Sequence, residues 1–162
     1  MNNRNKQIHF LPSISVGGAP INALRLITEL KKINSNCTFE IWSPNDNESF
    51  KERIVNEGIK FVDIRKVNPF SLPFLNQICS IIFSSKEKST QFITHGRGCG
   101  LIIKPLILIS GKKSVHFYRG FTPSYGIKYK FIQKFLTIWE SILSKFGIVI
   151  CVGAEELKQV RK

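Results

Sequence analysis

The residues best suited to chemistry fall in three short stretches that each carry glycine. In "SISVGGA", Gly17 and Gly18 precede Pro20 and an amphipathic run, so bare backbone N–H groups would stand at the head of a helix. Unpaired donors and the helix dipole there favour a phosphate or carboxylate. The alternative is a tight strand-to-helix turn with no ligand. In "THGRGCG", His95 and Gly96 follow a strand pattern and Arg97 stands among Gly96, Gly98 and Gly100. His95 could hydrogen-bond a sugar hydroxyl or a phosphate, and Arg97 could fork onto an anion. Equally, His95 could bond a neighbouring carbonyl while Arg97 faces solvent. In "HFYRGFTPSYG", Arg119 lies near Tyr118, Phe121 and Tyr125. Guanidinium and aromatic surfaces together suit a sugar or a lipid phosphate, and they suit the rim of a core as well. His116, inside that run, is expected in the core or at a sheet edge.

Other chemistries find no support in these stretches. The first glycine pair is not a G-x-G-x-x-G fingerprint, and no G-x-x-x-x-G-K-[ST] sequence occurs. No Ser-His-Asp order, metal-ligand cluster or pair of carboxylates emerges. No metal and no bound cofactor are therefore expected, and no catalytic residue is assigned. Chemistry at these turns would need groups from outside the chain.

The elements that must position the three stretches alternate regularly. Apolar strand patterns at 7–13, 37–44, 59–64, 90–95, 113–120 and 148–153 are separated by helical patterns. The first helix follows Gly18, with Ile21, Leu24, Ile27 and Leu30 on one face. A short second one carries Glu48 and Glu52 near its positive end and can stop at Gly58. Others are expected at 74–84, at 101–109 after a "GRGCG" loop, and at 127–146. In the last of these Ile127, Phe131, Phe135, Ile138, Trp139, Ile142 and Phe146 share a face. Strand–helix alternation of this kind predicts a Rossmann-like three-layer α/β/α domain with a mainly parallel sheet. Ligands of such sheets bind beyond the carboxyl ends of the strands, where all three stretches should fall.

Charge narrows the partners. Net charge is +13, and between Lys88 and Trp139 there are nine Lys or Arg and no Asp or Glu. That field favours an anionic partner. Nucleic acid is not expected, because no RNP-type strand, helix-turn-helix or zinc knuckle is present. Lys112, Lys113, Lys128, Lys130 and Lys134 are candidates for contact with an anionic membrane, at about 1 kcal/mol each. The longest apolar run, "LIIKPLILIS", is interrupted by Lys104 and Pro105 and is too short to span a bilayer. Four dispersed cysteines and the lack of a secretory signal point to reduced thiols and a cytoplasmic location, peripheral at most to the inner membrane face.

Taken together, the stretches resemble the amino-terminal half of the family-four retaining glycosyltransferases, which pair two Rossmann-like domains. The resemblance rests on Gly17-Gly18-Ala19 followed by "PINALRLITELKK", on "ITHGRGCG", on "FYRGF", and on Glu140 ahead of "IVICVGAEEL". It covers about residues 7–160. Arg119 stands where that family commonly has histidine, and Gly153 where serine is usual. The resemblance implies an acceptor-binding domain with Gly17, Gly18, His95, Gly96, Arg97 and Arg119 lining an interdomain cleft. It also implies a nucleotide-sugar co-substrate held mainly by a second, carboxyl-terminal domain in the same or another chain. The implied acceptor is a glycan or lipid-linked precursor of a surface polysaccharide or lipopolysaccharide. A different class stays open: a non-catalytic module that binds anionic lipid, glycan or a partner glycosyltransferase.

Overall fold

Strand residues that alternate their side chains between two faces need apolar cover on both, and helices from successive crossovers supply it. The computed structural model describes residues 5–15, 17–66, 71–84, 89–118, 134, 138–139, 141–151 and 153. In chain order they form β1 (Asn5–Phe10), α1 (Gly18–Ile33), β2 (Cys37–Ser43), α2 (Glu48–Asn56), β3 (Lys60–Asp63), α3 (Leu72–Ser84), β4 (Thr90–His95), α4 (Gly96–Ile109), β5 (Ser114–Tyr118) and β6 (Ile148–Cys151). The six strands make one parallel sheet in the order β3-β2-β1-β4-β5-β6. This is a Rossmann-like three-layer architecture, as the alternation of patterns predicts.

Two cores lie on opposite faces of that sheet. Ile8, Phe10, Trp42 and Phe92 pack with Phe74, Ile78 and Ile82 of α3 and with Cys99, Ile103 and Ile107 of α4. Phe39 and Ile41 turn the other way, toward Ala23, Leu24 and Ile27 of α1 and Ile54 of α2. Among the polar groups buried in the sheet, Glu40 accepts hydrogen bonds from Lys60 and Lys6 at 3.0 Å and from the Trp42 indole at 2.7 Å. Burial pushes its carboxyl up, but those three donors outweigh burial and hold it below the usual range.

One expectation needs correction, and one apolar face remains to be placed. The "GRGCG" segment is not a loop before a helix at Leu101, because α4 begins at Gly96. Glycines are poor helix formers, at about 1 kcal/mol each, yet Cys99 is fully buried in the α3–α4 core, so tertiary packing winds this turn. The apolar face is the one expected over 127–146. Residues 138–139 and 141–144 are helical, but Leu143 is the one that turns inward. Ile138, Ile142 and Phe146 are 52%, 44% and 57% exposed, so their stripe is not core. Ile127, Phe131 and Phe135 lie outside the described residues.

Pro105 sits inside α4 without breaking it. Lacking an N–H, it leaves the carbonyl of Leu101 without its helical donor. The indole N–H of Trp139 donates to that carbonyl at 3.4 Å. Among the described residues, no helix is long and apolar enough to cross a membrane.

Candidate functional site

All strands being parallel, their carboxyl ends share one rim. The chain runs from β1 outward to β2 and β3, and from β4 outward to β5 and β6, so the direction of winding reverses between β1 and β4. Ligands of open α/β sheets bind at such a reversal. The β1–α1 loop and the start of α4 flank it.

The β1–α1 loop is pinned from the neighbouring β2–α2 connection. Asp46 accepts from the Ser13 hydroxyl at 2.5 Å and from the Ile14 N–H at 2.9 Å. With its proton committed to Asp46, Ser13 Oγ accepts from the Ser15 hydroxyl at 2.6 Å and from the Ser15 N–H at 3.0 Å. The Asn47 side-chain amide donates to the Ser15 carbonyl at 3.0 Å, and its oxygen caps α2 by accepting from the Phe50 N–H at 3.1 Å. The same two residues thus start α2 and hold the loop beside it.

At the end of this loop Gly17 adopts φ 128°, a conformation closed to L side chains, and nothing lies within 4 Å of where a Cβ would be. Gly17 and Gly18 are both exposed. No side chain caps α1 at Gly17 or α4 at His95, and neither first turn holds an acid. The start of α4 adjoins the first part of the β1–α1 loop: a methyl at Gly96 or Gly98 would stand 4.0 or 3.8 Å from the Pro12 ring. Gly17, Gly18, His95 and Gly96 therefore lie at the same rim of the sheet, Gly17 and Gly18 exposed and His95 and Gly96 buried. Arg97 is in the first turn of α4, but its side chain lies outside the described residues, as does Arg119. No protein-family model matches this chain, and no curated protein does.

His95 is fully buried, so it supports the rim from beneath. Its Nε2 is 3.0 Å from Nδ1 of His9, one nitrogen donating to the other. The two imidazoles stack at 5.3 Å, and the far face of His95 lies against Phe117 at 4.9 Å and 7°. Burial lowers His9 to about 3, so it is neutral at any ordinary pH. On the opposite face Thr94 Oγ1 and His116 Nδ1 are 2.8 Å apart. His116 lies in the core, one of the two expected places, and burial with the nearby Lys104 charge lowers it to about 4.

Sequence reasoning did not single out His9, Thr94, Asp46 or Asn47. Thr94 stands in "THGRGCG" but the other three stand in no motif, and the partners of all four are set by strand order and loop contact. Gly100 is likewise fixed by a neighbour and not by a turn: a Cβ there would lie 2.3 Å from Cε1 and 2.6 Å from Nε2 of His116. Alanine would favour the helix by about 1 kcal/mol, but overpacking a pinned ring costs typically 1–3 kcal/mol or more. Gly100→Ala should lower the urea midpoint, and adding His116→Ala should recover part of the loss. Additive effects in that double-mutant cycle would contradict the contact.

Three of the five lysines proposed for a membrane, Lys112, Lys113 and Lys134, fall among the described residues. Lys112 and Lys113 precede β5, at the rim opposite Gly17. The Lys112 ammonium donates to the Ile82 carbonyl and lies 5.5 Å from the Phe92 ring centroid, so it is tied into the fold. Lys113 and Lys134 are exposed, whereas Lys128 and Lys130 lie outside the described residues. Among the described residues, no three His, Cys, Asp or Glu side chains are grouped to hold a metal ion.

Proposed function

We propose that this domain is the acceptor-binding half of a retaining glycosyltransferase that builds a surface polysaccharide or lipopolysaccharide precursor. The observation that carries the reading is the exposed Gly17 turn, open where a side chain would stand, on the rim where the sheet's winding reverses. Without side chains in the way, a sugar hydroxyl and a donor diphosphate can approach the backbone closely. Backbone N–H groups would stabilise charge developing on the leaving diphosphate. A second Rossmann-like domain, in the same chain or another, would hold the nucleotide-sugar and close the cleft. The His9–His95 hydrogen bond would keep the floor of the rim rigid.

The test is sugar transfer or donor hydrolysis measured with and without a donor-binding domain. Activity that depends on the second domain is the expected result. An unrelated reaction catalysed by the chain alone would count against the reading.

A non-catalytic role at an anionic membrane is the second reading, favoured by one observation. Ile138, Ile142 and Phe146 are uncovered, with Lys134 and Lys145 exposed in the same region of the sequence. Apolar and cationic groups together suit the interfacial zone of a bilayer. The chain should then co-sediment with phosphatidylglycerol vesicles, release in high salt, and bind less well as Ile142→Glu. Equal recovery with neutral vesicles, or none with either, removes this reading.

A further inference from the structure

Lys104 is 1% exposed, a lysine almost wholly withdrawn from water in the middle of α4. It lines a cavity of about 10 Å³ together with Gly100, His116, Tyr118, Leu143, Ser144 and Val149. Among the described residues, no carboxylate is in that lining and no ion pair includes Lys104. Nor does the sequence offer an acid anywhere from Lys88 to Trp139, the stretch that supplies β4, α4 and β5.

A buried ammonium has three ways to lower its cost: reach water, lose its proton, or meet an anion. Its near-zero exposure keeps it from bulk water. Burial lowers its pKa to about 8, which leaves it mostly protonated at neutral pH, so the second is incomplete. The third has a place to happen. A void of about this size holds one water-sized atom, and its walls are polar on one side and apolar at Leu143 and Val149. We infer that Lys104 is the floor of a binding site for one anionic oxygen of a carboxylate or phosphate group, entering between α4, β5 and β6.

His116 completes the recognition. If Thr94 Oγ1 donates to Nδ1, the imidazole proton lies on Nε2, the nitrogen that the missing Cβ of Gly100 leaves room for. An anion in the cavity selects that tautomer, because it then meets two donors. Ser144 has committed its hydroxyl proton to the Ser141 carbonyl at 2.7 Å, so it offers the anion no donor. This site lies beneath α4 and is separate from the Gly17 turn. It holds whether or not the domain transfers sugars.

The test uses the whole chain with inorganic phosphate, acetate and chloride, each at matched ionic strength. The readouts are the melting temperature and the pH titration of the Lys104 Cε resonance, assigned by its loss in Lys104→Met. Phosphate or acetate should raise both the melting temperature and the Lys104 pKa saturably, with chloride ineffective. The oxyanion that saturates at lower concentration identifies the group. Lys104→Met should fold, melt higher than the parent without anion because a buried charge is gone, and show no response. His116→Gln should weaken the response about tenfold, equivalent to one hydrogen bond to a charged group. An unresponsive parent, an undiminished response in Lys104→Met, or chloride matching the oxyanions overturns the inference. So does a response seen in Glu140→Gln but not in the parent, since an internal carboxylate would then hold Lys104.

Discussion

Acidification from pH 8 to pH 5 should remove about 4 kcal/mol of stability, from two histidines at about 1.4 kcal/mol per pH unit each below their unfolded pKa. His9 is lowered from 6.5 to about 3 by burial. His116 is lowered to about 4, by burial first and then by the Lys104 charge, with the Thr94 backbone hydrogen bond opposing. Both folded-state values lie below the unfolded one, so between them the unfolded chain binds more protons. The stabilisation is complete above pH 6.5 and is lost as pH falls toward 4 for His116 and 3 for His9. A loss of this size is a large part of the 5–15 kcal/mol that usually holds a domain together. Urea titrations at pH 8, 6.5 and 5 would measure it, and His116→Gln should remove about half of the slope. A flat profile over that range would show that the imidazoles are hydrated in the folded protein.

The second large effect is expected at Phe10. It is fully buried in β1, near the centre of the sheet, with the Trp42 ring edge-on at 5.7 Å and Phe92 stacked at 6.2 Å. α3 and α4 close over this cluster from the same side. Removing the ring takes away its transfer free energy and leaves a cavity that two neighbouring rings cannot collapse into. Phe10→Ala should therefore cost about 3–5 kcal/mol, seen as a lower urea midpoint with an unchanged slope. Phe10→Leu should cost clearly less. A cost below about 1 kcal/mol for the alanine variant would mean that the site refills, contrary to the close packing of cores.

Much of the architecture was legible because each element carries its own period. The six expected strands match β1 to β6 to within a few residues, since alternation and β-branched content mark a strand without reference to its neighbours. The Gly17-Gly18 turn was legible for the same local reason. The start of α4 was not. Three glycines in five residues argue for a loop, and only burial of Cys99 and the approach of His116 to Gly100 reverse that. The apolar stripe near residue 142 was legible too, but whether it is covered was not. An apolar stripe shows that a face is apolar but not that anything covers it.

By itself, then, the sequence determined the alternation of elements, the parallel sheet that follows from it, and the bare backbone at Gly17. These depend on interactions within a few residues or on one-way rules of chain handedness. Tertiary structure alone decided that His9 meets His95 across 86 positions, that Asp46 holds the Ser13 loop, and that Lys104 is sealed beside His116. Those pairings require strands β1 and β4 to be neighbours and α4 to lie over β5. The physical reason is that adjacency in a sheet minimises exposed apolar area over the whole chain at once, a quantity that no short segment carries.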